Sequence, residues 1–199
     1  MDRKGRLERE LGSDSLVYGP NEESRGAASM VSRLRSPDSS RGAVVLLVHG
    51  FYAGLFAGTV ATVSQLALWL TFTETSPWIL LLRDARFTAA IVAGPALLSA
   101  PLTFDAVVIA LATLIHFALS TLYGVVFFWL AQDVRSAAIR LPLGALFGFG
   151  IYLKNLYVFT LLFPWFSEAR DGVTLAAHLV FGLSLAGAHW WLTELRREK

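Results

Sequence analysis

Four apolar stretches, roughly 44–71, 105–130, 142–164 and 173–193, are each long enough to cross about 30 Å of hydrocarbon at 1.5 Å per residue. That pattern predicts an all-α fold, an integral membrane four-helix bundle. Composition agrees: 55% of residues are hydrophobic and the mean hydropathy is +0.55, well outside the range of a soluble domain. Residues 43–199 form the transmembrane domain on this reading.

Charge is segregated. Residues 1–42 hold eight Lys/Arg and seven Asp/Glu, against nine and eight in the remaining 157 residues. A segment so polar cannot bury enough apolar area to offset its ordering entropy, so 1–42 reads as a disordered charged tail. It is too long for a secretory leader, and the apolar run behind it is longer than a signal's hydrophobic region. Met30 is the one methionine besides Met1, and translation from there would leave a short basic leader before the first span. The small basic excess has no aromatic-interleaved Lys/Arg run, so no nucleic-acid partner is expected. The absence of cysteine excludes disulfides, thiolate metal sites and cysteine nucleophiles.

Flanking charge sets the expected orientation. Arg33, Arg35, Arg41, Arg135, Arg140, Arg196, Arg197 and Lys199 fall on one side, and Arg83, Arg86 and Arg170 on the other. This asymmetry predicts that both termini lie in the cytoplasm. Between the first two spans, 77–100 has Ser76 and Pro77 to start a helix and Trp78 suited to the headgroup level. Arg83, Asp84 and Arg86 sit inside it, and Pro95 and Pro101 interrupt the apolar run, so it reads as an interfacial or re-entrant segment. A distorted fifth span is the alternative, and it would put the basic C-terminus outside.

Each span carries one small or polar stripe. Gly50, Gly54 and Gly58 recur every four residues, with Ala61 and Gln65 on the same face. Gly144 and Gly148 repeat the device, with Asn155 on that face; His116, Ser120 and Gly124 line the second span, and His178, Gly182, Ala186 and His189 the fourth. Small residues let backbones approach where lipid supplies no hydrophobic drive, so these glycines are read as packing positions and the stripes as the bundle interior. The same faces could also join copies of the chain into a homo-oligomer.

Counting rise per residue, His116 and Asn155 fall within about 3 Å of mid-span, with His178 about 7 Å and Gln65 about 11 Å toward the outer face. These four form a candidate polar cluster in the outer half. Lys154 shares their depth but lies about 100° around an α-helix from Asn155. A charge there costs about 2.5–3.5 kcal/mol, and the carboxylates Glu74, Asp105, Glu168 and Asp171 all belong near the surface. Lys154 could snorkel to a headgroup, sit neutral among the histidines as a proton or substrate site, or face another protomer. Arg83 and Asp84 form a separate candidate site at the outer face. His178 and His189 are three turns apart, too far to share a metal, and neither metal nor cofactor is expected.

No Walker loop, G-x-S-x-G elbow, H-E-x-x-H or dinucleotide fingerprint is present, so an enzyme is not expected. "PWILLLRDAR", "IHFALSTLYGVVFFWLAQ" and "FPWF…AAHLVFG" resemble the YagU-like family of small bacterial inner-membrane proteins over residues 45–197. The matching positions are Pro77, Arg83, Asp84, His116, Ser120, Pro164, Trp165 and His178. The resemblance implies an inner-membrane protein, linked in one branch to acid resistance, with no established reaction. The charged N-terminus and the "KN" pair depart from that pattern. The leading expectation is a non-enzymatic accessory or stress-related role with the lipid bilayer as partner. The alternative is an oligomeric small transporter or proton-linked permease using Lys154, His116 and His178, its cargo unnamed. A third reading is a lipid-binding factor using Arg83 and Arg86.

Overall fold

A computed structural model describes residues 37–197, all of whose regular elements are helical. The expectations for residues 1–36 of the charged tail and for a start at Met30 lie outside the described residues. Residues 37–42, read from sequence as part of that disordered tail, are helical and begin the first long helix, because the helix extends past the apolar run. The chain divides into two units, Met1–Ala43 and Val44–Lys199. Of the first, the described part, residues 37–43, is helical; apart from those first turns of the long helix that continues to Phe72, everything below concerns the second.

Five α-helices follow in order: α1 (Pro37–Phe72), α2 (Pro77–Ala93), α3 (Ala106–Ala131), α4 (Ala137–Leu153) and α5 (Gly172–Arg197). A 3-10 helix, Pro95–Ser99, follows α2; α4 continues through a π-helical turn, Lys154–Val158, into 3-10 turns at Phe159–Leu161 and Pro164–Ala169. Four segments are long and apolar enough to cross a membrane: Arg41–Phe72, Ala106–Ala131, Ala137–Leu161 and Gly172–Glu194. The surface pattern is inverted relative to a soluble protein: Leu161 and Val107 are 81% and 75% exposed, while Arg140 and His189 are buried. This is an all-α, multi-pass membrane protein built as a four-helix bundle.

The third span differs from its expected limits. It starts at Ala137, not 142, and Pro142 sits inside the helix. Arg140 turns inward and its Nη2 donates to Val134 O at 2.6 Å, tying the extra first turn to the preceding loop. Its far end is not regular helix either, because the π turn intervenes.

Glycine sets the helix spacing. A methyl group on Gly50 would stand 2.6 Å from Val125 Cα, and one on Gly54 2.6 Å from Thr121 Cα, so α1 and α3 touch backbone to backbone. Gly144 and Gly182 do the same for α4 and α5, where a Cβ on Gly182 would lie 2.8 Å from Gly148 N. Ala53, Ala57, Phe127, Phe128, Ile151, Phe181 and Leu185 fill the space between the two pairs.

Between the first two spans, α2 begins at Pro77, with Ile79 N and Leu80 N bonded to Ser76 O; the Ser76 side chain itself makes no cap. It ends at Gly94, whose φ of +89° favours glycine and turns the chain into Pro95. Trp78 stacks on Phe104, Ala85 and Ala89 pack on Val108 and Ala112, and Leu97 packs on the same cluster. α2 and the turn after it therefore pack on the first turns of α3. The helix α2 is not among the four able to span.

Candidate functional site

Beneath α2 the helices part around a cavity of about 210 Å³. It is lined by Thr62 and Gln65 from α1, Asp84 and Thr88 from α2, His116, Ser120 and Tyr123 from α3, Asn155 from the π turn, and Thr174 and His178 from α5. Gln65, His116, Asn155 and His178, singled out from sequence as one cluster, all meet here. The walls between them are apolar, with Phe87, Phe159, Phe166 and Phe181. Trp165 Nε1 donates to Phe87 O at 3.0 Å and Phe166 packs edge-on to Phe87, so the turn before α5 and α2 close over the same space.

Two sequence expectations are corrected. Lys154 does not point away from Asn155. Its Nζ donates to the Tyr123 hydroxyl, which in turn donates to Asn155 Oδ1 at 3.1 Å. The ammonium also lies 4.4 Å from the centre of the Tyr123 ring and 4.6 Å from that of Phe159. The π turn is the reason: widening the helix at Lys154–Val158 changes the angle between successive side chains, so both polar neighbours reach one hydroxyl. Arg170 supports this irregular stretch, its Nε donating to Leu156 O at 2.6 Å and its Nη2 to Thr160 Oγ1 at 2.7 Å.

The second correction concerns Asp84, expected at a separate outer-face site. Because α2 folds onto the bundle, Asp84 lines the cavity together with the intramembrane residues. Arg83, which does not line it, holds Asp84 Oδ1 from Nε at 2.9 Å and Nη2 at 2.8 Å. Burial pushes the Asp84 carboxyl above the usual carboxylate range; Arg83 opposes the shift and Asp171 adds to it.

The histidines are fixed by backbone carbonyls. His178 Nδ1 lies 2.7 Å from Thr174 O, which can only accept, so Nδ1 carries the proton and Nε2 the lone pair. His116 Nε2 lies 3.4 Å from Gly58 O and 3.3 Å from Thr62 Oγ1, which assigns its proton to Nε2. Thr174 Oγ1 is buried on the lining without a hydrogen bond. His189 is elsewhere, buried in the packed half with its ring 4.8 Å from that of Phe128. Among the described residues no cluster of three His, Cys, Asp or Glu could hold a metal. Tyr123 was missed from sequence, although it extends the His116–Ser120 face by one turn.

Compared with protein-family models, curated proteins and solved structures, the chain matches none.

Proposed function

We propose that this protein is a small, non-enzymatic membrane carrier that binds a solute in the cavity beneath α2 and moves it across the bilayer of a bacterial inner membrane. The observation that carries this reading is the convergence of Asp84, His116, Tyr123, Asn155 and His178 from four elements on one cavity. Ionisable groups are expensive inside a bilayer and are retained there where they serve a pathway or a site. Lys154 buttresses the lining through Tyr123. Both termini are taken as cytoplasmic, which makes the cavity half the outer half.

A second reading is the accessory or stress-related protein that holds a ligand without moving it, the role nearest to the YagU-like resemblance. The opposite half favours it, because Phe127, Leu185 and Ala186 are fully buried in its packed core. Flux into proteoliposomes separates the two. A carrier shows solute-dependent flux that His116→Phe abolishes while the bundle stays folded. Binding without flux sinks the carrier reading and supports the accessory one.

A further inference from the structure

The lining has a sign. Asp84 is its one carboxylate, and no lysine or arginine lines it. Both Arg83 contacts fall on Oδ1, and Oδ2 accepts no hydrogen bond from the described residues. The two histidines add acceptors: the tautomer imposed by Thr174 O leaves His178 Nε2 with a lone pair, and that imposed by Gly58 O leaves His116 Nδ1 with one, while Gln65, Ser120 and Asn155 bring donors as well as acceptors. Tyr123 cannot donate to a ligand, because its proton is committed to Asn155 Oδ1.

A lining with one carboxylate, whose Oδ2 is left free by Arg83, and imidazole acceptors beside it suits a ligand with a positive charge and N–H donors. Aromatic rings line the same cavity, and their negative faces attract a cation and cover an apolar body. At about 210 Å³ the cavity has room for a small organic molecule rather than a single ion or water. Arg83, which does not line the cavity, is paired with Asp84 Oδ1, and Lys154 is the other cation that would favour an anion. It lies behind Tyr123, its ammonium already engaged by the hydroxyl and by two rings.

Resting on the proposed role of the cavity as a solute site, we infer that its ligand class is a small protonated amine with an apolar body. The ammonium sits on Asp84 Oδ2 with His178 Nε2 as a further acceptor, and the body lies against Phe87, Phe166 and Phe181. Quaternary ammonium ions bind less well, because they lack the N–H donors these acceptors need.

The test is calorimetric titration of the detergent-solubilised full chain with three probes of one shape: phenethylammonium, phenethyl alcohol and hydrocinnamate. The cation is expected to bind at least tenfold more tightly than the alcohol, and the anion most weakly. Asp84→Asn removes the tenfold preference and leaves the alcohol's affinity unchanged. The probe series reads the charge preference on the unaltered chain, so it decides the matter even where Asp84→Asn fails to fold. Equal binding of alcohol and cation, or a preference for the anion, overturns the amine assignment and leaves the cavity as a solute site. Binding of none of the three overturns the assignment together with the carrier reading beneath it.

Discussion

Under α2 the four spanning helices stand apart around a cavity of about 210 Å³, whereas in the opposite half they close on Phe127, Phe128, Leu185 and Ala186, none more than 5% exposed. The difference follows from where the glycines stop. Gly50, Gly54 and Gly124 press α1 on α3, and Gly144 and Gly182 press α4 on α5. One turn beyond Gly58 the stripe on α1 continues as Thr62 and Gln65, and beyond Gly148 α4 opens into its π turn. In a bilayer, where lipid is as apolar as the core, side-chain size decides how near two helices come. Where small residues end, the helices separate and polar side chains occupy the gap.

The largest expected effect strikes the packed half. Gly54→Leu forces α1 from α3 and should destabilise the bundle by about 3 kcal/mol, whereas Gly187→Leu, with nothing within 4 Å of an added Cβ, should shift stability by under about 0.5 kcal/mol. Thermal melts in detergent check the contrast, and equal effects would remove glycine as the spacer. Next comes the polar link of the cavity half. Tyr123→Phe leaves the Lys154 ammonium and Asn155 Oδ1 without their shared partner, a loss of about 1–3 kcal/mol. In a double-mutant cycle with Lys154→Met the two losses should fall short of adding, by about 1 kcal/mol; strict additivity would show that the link carries no energy.

How much of this was legible in the sequence depends on whether a residue's neighbours are set by helix periodicity or by tertiary docking. The spans and the facing glycines follow from length and a four-residue repeat, and so does the grouping of Gln65, His116, Asn155 and His178. Lys154 was misjudged because a regular α-helix was assumed through a stretch that is π-helical, and the angular error there is what separates an isolated cation from one bonded to Tyr123. Asp84 was misplaced for a different reason. A charged segment between spans reads as surface, and only the packing of Ala85 and Ala89 on Val108 and Ala112 turns its next residue into the cavity. The inward Arg140 was hidden likewise, since a flanking arginine ordinarily marks the membrane surface.

A smaller effect is a pH dependence confined to the cavity half. The Asp84 carboxyl, with Arg83 and Asp171 acting on it and His116 and His178 across the cavity, holds its proton more tightly folded than unfolded. Its contribution to stability is thus full below the ordinary carboxylate range and is lost as pH rises through the raised value. Amine affinity runs the other way, strengthening over the same rise as the carboxylate forms. Asp84→Asn should flatten both profiles, as followed by melts and titrations across pH; unchanged slopes would assign them to another group. The smallest effect is local to α3, where Asp105 Oδ1 accepts from Val107 N at 2.9 Å and Val108 N at 3.2 Å. Asp105→Ala should cost about 1 kcal/mol in the same melts without altering the cavity.

Because the chain has no cysteine of its own, single-cysteine variants compare the two halves directly in sealed vesicles with a charged, membrane-impermeant thiol reagent. Thr62→Cys and Thr88→Cys, both on the cavity wall, should react from one side of the membrane and be protected by a bound amine. Ala57→Cys and Ala131→Cys, at positions with no exposure in the packed half, should stay unmodified until the protein is denatured. Equal reactivity at all four positions, or equal protection, would contradict a bundle open to solute at one end and closed at the other.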